Sequence, residues 1–448
     1  MIQKKFYIKT LGCKVNQYES QVIRENFLKN GYIEAGSSDE ADICVINTCT
    51  VTSTSDSKSL KLIRSGLRKK NKCIIATGCM IESGDLDLRK LKGVDFIIKN
   101  KDKYRIPQII YSFLNPLEPR IFMDLEPNII TGFHGHSRAF VKIQDGCSNK
   151  CSYCKVSVVR GKSASRPFER IIEECSALIE KGYNEIVLSG ICLGAYGKDI
   201  SKTASLTKLI KNICKIKGDW RVRLSSIEPK DVTDDLILQI VSEEKICKHL
   251  HIPFQSGDNE ILKRMNRPYT VSDYMRIVAR LRKTIPDIAV STDMMVGFPG
   301  EEEANFRNTL NFIKEISPMR LHVFGFSKRI GTPAYSYKGI VDNIVKKQRE
   351  HALLDAVSGF SREFEKMFIG KIARVLIEDK RDKQGFLQGY TDRYIKVLID
   401  GPDSVKSRLL TCQLTLSPPL LLEQKTQPKA MAGLTKQKVY GILLSYLD

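Results

Sequence analysis

Strand-like and helix-like segments alternate from the start of the chain to about residue 325, and this alternation most constrains the fold. Neighbouring parallel strands need a crossover connection, which is usually a helix, so the alternation predicts parallel sheets. The first series has strands at Phe6–Thr10, Asp42–Ile46 and Cys73–Thr77. The second has six strand segments, which are Ala139–Ile143, Glu185–Leu188, Arg221–Leu224, His249–Phe254, Ile288–Met295 and Arg320–Phe324. We therefore expect two successive parallel α/β units.

The second series is too short for a complete eight-stranded barrel. It spans about 190 residues, whereas a (β/α)8 barrel usually needs about 250, so we expect a partial (β/α)6 barrel. Further strand patterns at Lys371–Asp379, Tyr394–Ile399 and Leu409–Leu416 predict a small β-barrel at the end. The expected α/β organisation is an N-terminal parallel α/β sheet domain (1–100), a linker (101–137), the partial barrel (138–365) and the small β-barrel (366–432). Residues 433–448 receive no predicted role.

A C-x3-C-x2-C run follows the first strand of the predicted partial barrel and is formed by Cys147, Cys151 and Cys154. Three thiolates on one loop can hold three irons of a four-iron–four-sulfur (4Fe–4S) cluster and leave the fourth iron open. A zinc site is the alternative, but zinc usually takes four ligands, and no second C-x2-C pair is present. The spacing resembles the signature of radical S-adenosylmethionine (SAM) enzymes.

A second cysteine triplet is spread over the first series of strands. The cysteines that directly follow these strands are Cys13, Cys49 and Cys79. Because the carboxyl ends of parallel strands share one edge of the sheet, the three side chains are expected to meet there. Gly12 and Gly78 precede two of them and allow a close approach of the backbone to a bulky cluster. The alternative is that these are buried core cysteines, as we expect for Cys44 and Cys73 within the strands.

Polar and glycine residues follow the other strands of the predicted partial barrel, at the rim where barrel enzymes bind their ligands. Those that we assign to a SAM pocket are Ser189, Gly190, Ser226, Glu228, Gln255 and Val296. Tyr153, between two of the clustered cysteines, could rest against the adenine of SAM or pack beneath the loop. Turn formation also selects Gly and Ser, so only their shared position at one rim supports this assignment.

The charge balance favours a polyanionic partner. The chain has 72 Lys and Arg against 51 Asp and Glu, a net charge of +21, which indicates nucleic acid first and a non-binding basic surface as the alternative. In the small β-barrel, Phe386, Tyr390 and Tyr394 could stack on bases, although we expect at least one of them in the barrel core. Arg64, Arg68, Lys69 and Lys70 could contact phosphates, and the alternative is a solvated helix face.

The chain has neither an apolar N-terminal stretch nor an apolar run of the roughly 20 residues that span a membrane. We therefore expect a cytoplasmic protein without a membrane partner. Thiols stay reduced in that compartment, so the 13 cysteines indicate metal ligands rather than disulfides.

Nearly the whole chain resembles the methylthiotransferases, radical SAM enzymes that insert sulfur into a C–H bond and methylate it. The matching segments are Leu11–Cys13, Asn47–Cys49, Gly78–Cys79, Gln144–Cys154, Arg160–Pro167, Arg223–Pro229, Gln255–Gly257 and Gly297–Glu301. The C-terminal part resembles a TRAM domain, which is an RNA-binding barrel. The resemblance implies two 4Fe–4S clusters, one on each cysteine triplet, with SAM as radical source and methyl donor. It also implies a reduced electron donor such as flavodoxin or ferredoxin, and a sulfur source.

Within the family, Gly12–Ser20 looks most like the branch that modifies N6-threonylcarbamoyladenosine in the anticodon loop of tRNA. Lys14-Val15-Asn16 stands where the isopentenyladenosine branch usually has Gln-Met-Asn. The branch that modifies a ribosomal protein tends to have an acidic barrel, whereas residues 366–448 carry 14 Lys and Arg against 8 Asp and Glu. The resemblance therefore implies methylthiolation of adenine C2 in tRNA. The alternatives are those two other branches, another radical SAM enzyme with an auxiliary cluster, and a non-catalytic iron–sulfur RNA-binding protein.

Overall fold

The computed structural model of the chain describes residues 4–67, 72–84, 91, 93–115, 129–416 and 438–444. Part of the expected linker (116–128) lies outside these residues, as do Arg68, Lys69 and Lys70 of the basic segment and most of the chain after residue 416. No helix in the described ranges is both long enough and apolar enough to cross a membrane.

The N-terminal unit is a five-stranded sheet in which all strand pairs are parallel, with the order β2-β1-β3-β4-β5. Its elements are β1 Lys5–Thr10, α1 Lys14–Lys29, β2 Ile33–Glu34, β3 Ile43–Thr48, α2 Ser53–Leu67, β4 Cys73–Gly78, α3 Cys79–Glu82, β5 Phe96–Ile97, a 3-10 turn Lys103–Arg105 and α4 Ile106–Leu114. All six residues of β3 are buried, because helices cover both faces of the sheet. The predicted parallel sheet is confirmed, with two short edge strands added.

The central unit contains two parallel three-stranded sheets, β6-β9-β10 and β11-β12-β13. Its elements are β6 Ala139–Lys142, β7 Gln144–Asp145, α5 Val156–Arg160, β8 Ala164–Ser165, α6 Phe168–Glu180, β9 Glu185–Ser189, α7 Leu206–Ile213, β10 Arg221–Leu224, α8 Asp234–Ser242, β11 His249–His251, α9 Asn259–Arg264, α10 Val271–Thr284, β12 Ala289–Val296, α11 Glu303–Ile316, β13 Arg320–Gly325 and α12 Asn343–Lys366. Parallel bridges from Val222 to Ile246 and from Ser226 to His251 join the two sheets. This arrangement confirms the partial six-stranded barrel.

The C-terminal unit is a closed barrel with the order β14-β15-β16-β18-β17, as expected for a TRAM-like domain. Its strands are β14 Ile372–Arg381, β15 Leu387–Thr391, β16 Lys396–Ile399, β17 Leu409–Thr415 and β18 Val439–Leu443. The last strand lies beyond the boundary expected at residue 432. Gly389 lies inside β15, where a Cβ atom would come within 2.5 Å of Val375 Cγ1. It is therefore a packing residue within the strand.

A buried charge cluster holds this barrel against the central unit. The carboxylate of Glu185 lies 3.1 Å from Arg138, 2.7 Å from Arg221 and 3.0 Å from Arg223. Arg221 and Arg223 also donate hydrogen bonds to the backbone carbonyls of Arg374, Tyr390, Thr391 and Asp392. Burial alone would raise the pKa of Glu185, but the three arginine charges hold it well below its usual range.

A second buried charge cluster holds the N-terminal sheet against the central unit. Glu19 of α1 is fully buried and lies 2.6 Å from Lys103, 2.8 Å from Arg160 and 3.4 Å from Lys142. Tyr18, its neighbour on α1, donates a hydrogen bond of 2.9 Å to Glu174 of the central unit. These contacts place the cysteine-bearing edge of the sheet against the rim of the partial barrel.

Candidate active site

Both cysteine triplets line a single cavity of about 440 Å³. The cysteines that line it are Cys13, Cys49, Cys79, Cys147, Cys151 and Cys154. The first three come from the carboxyl edge of the N-terminal sheet, and the last three come from the loop after the first strand of the partial barrel. The sequence predicted that the members of each triplet lie close together. The structure shows in addition that both triplets line the same cavity.

Glycines let the N-terminal cysteines converge. Cys13 precedes α1, Cys49 follows β3, and Cys79 opens α3 directly after β4. A Cβ atom on Gly12 would come within 3.1 Å of Cys49 Sγ, and Gly12 has a φ of +115°. Gly78 has a φ of +97°, and a Cβ there would come within 2.5 Å of the Thr48 carbonyl oxygen. Only glycine adopts these conformations without strain and leaves room for the adjacent strand end.

Hydrogen bonds fix the loop that carries the other triplet. The short antiparallel pair β7 and β8 closes its base. The Cys147 amide donates to the Gly161 carbonyl at 3.0 Å, and the Ser152 hydroxyl donates to the Arg264 carbonyl at 2.8 Å. The Asn149 amide donates to Cys147 Sγ at 3.4 Å. These hydrogen bonds hold the loop in place from both sides.

Each triplet is in contact with one buried arginine. Arg160 Nε lies 3.3 Å from Cys79 Sγ, and Arg267 Nη1 lies 3.2 Å from Cys151 Sγ. Both arginines are anchored by carboxylates, since Arg160 contacts Glu19 at 2.8 Å and Arg267 contacts Glu228 at 2.8 Å. Two guanidinium groups thus offset the negative charge that metal-bound thiolates would bring into the cavity.

The thiols differ in how readily they ionise. Burial raises the pKa of Cys79 and of Cys154 to about 12. A hydrogen bond from Cys192 lowers the pKa of Cys147 to about 7. Thiols with a high pKa lose their protons when they bind a metal, so metal binding here would release protons.

The cavity also contains polar atoms that fit a polar ligand. Gln255 Oε1 and Arg267 Nε are buried and have no hydrogen-bond partner among the described residues. Gln255 lines the cavity and adopts a φ of +72°, which is unusual for a residue with a side chain. Three cysteines on one loop, with unpaired polar atoms beside them, fit a 4Fe–4S cluster and SAM. The other three cysteines fit a second cluster by the same donor chemistry.

The residues assigned to the SAM pocket separate into three groups in the structure. Four of them line the cysteine cavity, namely Tyr153, Ser226, Glu228 and Gln255. Ser189 and Gly190 line an adjoining cavity. Val296 is buried in the core of the central unit and lines neither cavity. Tyr153 packs edge-on against Phe298, with the ring centroids 6.4 Å apart.

The adjoining cavity has a volume of about 640 Å³ and lies where all three units meet. Tyr394 of the small barrel also lines it. The lining residues that it shares with the cysteine cavity are Cys13, Val51, Val156, Ile191, Ser226 and Asp293. Tyr394 therefore faces this cavity, whereas Phe386 packs against Tyr440. The base-stacking role suggested for these aromatic residues stays a prediction.

Side chains missed by the sequence reasoning complete the site. Arg160 belongs to a segment noted only for family resemblance, and its contact with Cys79 crosses between two units. Arg267 follows α9, far along the chain from the loop that it contacts, and no local pattern marks it. Cys192 lines the cavity beside Cys147, where its hydrogen bond lowers the pKa of that thiol.

Comparison with known proteins agrees with this geometry. Residues 141–313 match the Radical SAM superfamily, and residues 5–99 match a family described as uncharacterized protein family UPF0004. The two matched segments carry the two cysteine triplets.

Relatives of known activity cover most of the chain. It is 36% identical over 420 residues to the threonylcarbamoyladenosine tRNA methylthiotransferase MtaB of Bacillus subtilis, covering 90% of this chain and 92% of that protein. It is 39% identical over 394 residues to MtaB of Thermotoga maritima, covering 87% and 90%. It is also 36% identical over 389 residues to a tRNA-2-methylthio-N(6)-dimethylallyladenosine synthase of Acetivibrio thermocellus, covering 84% and 81%.

Solved structures share the fold at low sequence identity. The radical SAM methyltransferase TsrM of Kitasatospora setae, solved with cobalamin and a 4Fe–4S cluster, superposes with a TM-score of 0.56 at 12% identity, covering 75% of this chain and 77% of TsrM. From the identity and coverage of its relatives, the chain belongs to the radical SAM methylthiotransferase family and is an enzyme of this kind.

Proposed function

We propose that this enzyme methylthiolates C2 of N6-threonylcarbamoyladenosine next to the anticodon of tRNA. The observation that carries the proposal is the shared cavity, which is lined by all six cysteines of the two triplets. A reaction that both activates a C–H bond and inserts sulfur needs two sites within reach of one substrate atom, and a single cavity meets that requirement. Relatives that act on threonylcarbamoyladenosine support the choice of base.

We assign Cys147, Cys151 and Cys154, the triplet on the loop of the partial barrel, to the cluster that binds SAM. When bound, this cluster supplies the electron that cleaves SAM, and SAM serves as both radical source and methyl donor. Arg267 holds Glu228 at 2.8 Å, so the carboxylate is oriented toward the cavity beside Cys151. Burial raises the pKa of Glu228, although Arg267 opposes that shift. Gln255 contributes a buried carbonyl oxygen that is ready to accept a hydrogen bond.

The N-terminal triplet Cys13, Cys49 and Cys79 is assigned to a second cluster, which would deliver the sulfur. Arg160 joins this triplet to the central unit, because it contacts Cys79, Glu19 and Asn16 at once. Its charge would stabilise thiolates on that side of the cavity. Glu19 of the N-terminal unit pairs with Arg160 and Lys142 of the central unit, and these contacts hold the two triplets at one cavity, as sulfur transfer to a single carbon atom requires.

The partners follow from the surface and the chemistry. A net charge of +21 suits tRNA, and the bases of an anticodon loop can be unstacked at less cost than those of a duplex. Tyr394 of the small barrel lines the cavity that adjoins the cysteine cavity, so the small barrel is in position to hold the RNA near the reacting base. We expect a reduced flavodoxin or ferredoxin as electron donor, and an external sulfur source to restore the second cluster.

Mass spectrometry of tRNA nucleosides tests the proposal, with cells that have or lack the gene. Deletion should abolish 2-methylthio-N6-threonylcarbamoyladenosine and leave its precursor in place, and reintroduction of the intact gene should restore the product. If the methylthiolated isopentenyl nucleoside disappears instead, the chemistry stands but the substrate base is the other one. If no tRNA nucleoside changes, the assignment to tRNA is wrong.

A further inference from the structure

The cavity of about 640 Å³ beside the cysteine site is rich in basic side chains. Its basic lining residues are Lys14, His249, His251, Arg320 and His322. Asp293 is the acidic side chain among its lining residues, and it is already held by His251 at 3.2 Å and His322 at 3.1 Å. Burial lowers the pKa of His249 well below its usual range, so His249 adds no positive charge. Lys14 and Arg320 have little counter-charge within the cavity, which favours an anionic ligand.

Two of these side chains, Lys14 and Arg320, form no ion pair with a carboxylate of the described residues. Lys14 is half-buried at the start of α1, and its ammonium group makes no hydrogen bond or ion pair with any residue in the described ranges. Arg320 donates one long hydrogen bond of 3.4 Å to the Tyr394 carbonyl and lies 5.3 Å from the centre of that ring. It forms no ion pair with a described carboxylate. Both side chains are therefore available to a ligand in the cavity.

The position of the cavity links it to the reacting base. It shares Cys13 with the cysteine cavity, and Lys14 is the next residue along the chain. In adenine, C2 and C6 belong to the same six-membered ring and are separated only by N1. A base whose C2 points into the cysteine cavity therefore carries its N6 substituent close by, within reach of the adjoining cavity.

We propose that Lys14 and Arg320 bind the carboxylate of the threonylcarbamoyl group and so select the modified adenosine. The inference rests on the proposed function and adds its specificity determinant. A carboxylate in this place would supply the counter-charge that the lining lacks, and hydrogen bonds from ammonium and guanidinium groups to a carboxylate are among the stronger ones in proteins. An uncharged N6 substituent would leave both cations unpaired.

Binding of short RNAs tests the inference without turnover. The full-length enzyme with reconstituted clusters, in the absence of SAM, is titrated into three fluorescent anticodon stem–loops. They carry N6-threonylcarbamoyladenosine, its carboxylate methyl ester or unmodified adenosine. The intact enzyme should bind the carboxylate form about 10- to 100-fold more tightly than the ester, the range expected for hydrogen bonds to a charged group. Lys14→Gln and Arg320→Gln should each reduce that ratio to about 2-fold, while Lys14→Arg should keep most of it.

Lys29→Gln is the matched control, because Lys29 lies on the same helix and lines neither cavity. It should leave the ratio unchanged. If Lys14→Gln weakens all three RNAs equally, Lys14 binds a backbone phosphate and the inference is wrong. An unchanged ratio in both glutamine variants also overturns it.

A parallel turnover assay with SAM and reductant separates the two proposals. If the intact enzyme methylthiolates the threonylcarbamoyl RNA while the variants keep the carboxylate preference, only the inference about Lys14 and Arg320 fails. If the intact enzyme modifies an isopentenyladenosine RNA and never the threonylcarbamoyl RNA, the proposed function and the inference fail together.

Discussion

Replacing Glu185 with Gln should loosen the small barrel from the central unit. Glu185 is fully buried and faces three arginines at distances of 3.1, 2.7 and 3.0 Å. Gln keeps the shape but removes the charge, so three buried guanidinium groups lose their common counter-ion. Breaking a buried ion pair in this way typically costs about 3–5 kcal/mol.

Trp220 gives a direct measurement of this effect. It is the only tryptophan in the chain, it is buried, and it precedes Arg221 of the charge cluster. For a slope of about 2–3 kcal/mol per molar urea, the expected loss lowers the unfolding midpoint by about 1–2.5 M. The metal-free Glu185→Gln protein should show this shift in tryptophan fluorescence, relative to the metal-free intact protein.

The pH dependence has a definite sign. The folded state lowers the pKa of Glu185, so its contribution to the free energy of unfolding is complete above the pKa of an unfolded glutamate, about 4.3. That contribution is lost as the pH falls below this value. The difference between intact and variant protein should therefore be constant above about pH 5 and shrink at lower pH.

The control is Glu363→Gln, which removes an exposed partner of Lys366. Such surface pairs contribute at most about 1 kcal/mol, so its midpoint should barely move. A Glu185→Gln protein whose midpoint stays within about 0.3 M of the intact protein, well below the expected shift, would refute the reasoning that this cluster holds the barrel in place.

Three further results are expected. Arg267→Met should slow formation of 5′-deoxyadenosine from SAM about tenfold or more, because it leaves Glu228 buried without its cation; unchanged SAM cleavage at normal iron content would contradict this. Gly12→Ala should lower the iron bound after reconstitution by up to about half and spare SAM cleavage, since a Cβ there meets Asn16 at 2.7 Å and strains the backbone before Cys13. In the metal-free protein, alkylation of Cys147 should rise through a pH of about 7 while Cys154, with a pKa near 12, stays slow at neutral pH; peptide mass spectrometry that finds equal rates would count against it.

Local patterns predicted the parts of the fold that are repeated along the chain. A buried run such as Ile43–Thr48 is enough to predict a parallel strand, because both faces of such a strand are covered by helices. Elements with a weak sequence pattern were not predicted. They include the edge strands Ile33–Glu34 and Phe96–Ile97 and the last strand of the small barrel, Val439–Leu443. Two-residue strands are too short to show a period, and Val439–Leu443 pairs with strands that lie well before it in the sequence.

The cysteines of the site could be predicted because topology alone brings strand ends to one edge. The arginines could not, since Arg160 and Arg267 reach their sulfur partners across a domain interface and from a distant loop. Val296 also lies at the end of a strand, but its side chain packs in the core. The position at a strand end therefore did not decide whether a side chain faces the cavity or the core. Side-chain direction at a rim depends on packing that no local pattern records.

The most direct test of the central claim is to measure both products of the reaction in Cys151→Ala and Cys49→Ala enzymes. Reconstituted proteins are incubated with SAM, reductant and tRNA carrying N6-threonylcarbamoyladenosine, and 5′-deoxyadenosine and the methylthiolated nucleoside are quantified together. We predict that Cys151→Ala forms neither product and that Cys49→Ala forms 5′-deoxyadenosine without the methylthiolated nucleoside. Methylthiolated tRNA from Cys49→Ala would contradict the division of labour between the two cysteine triplets.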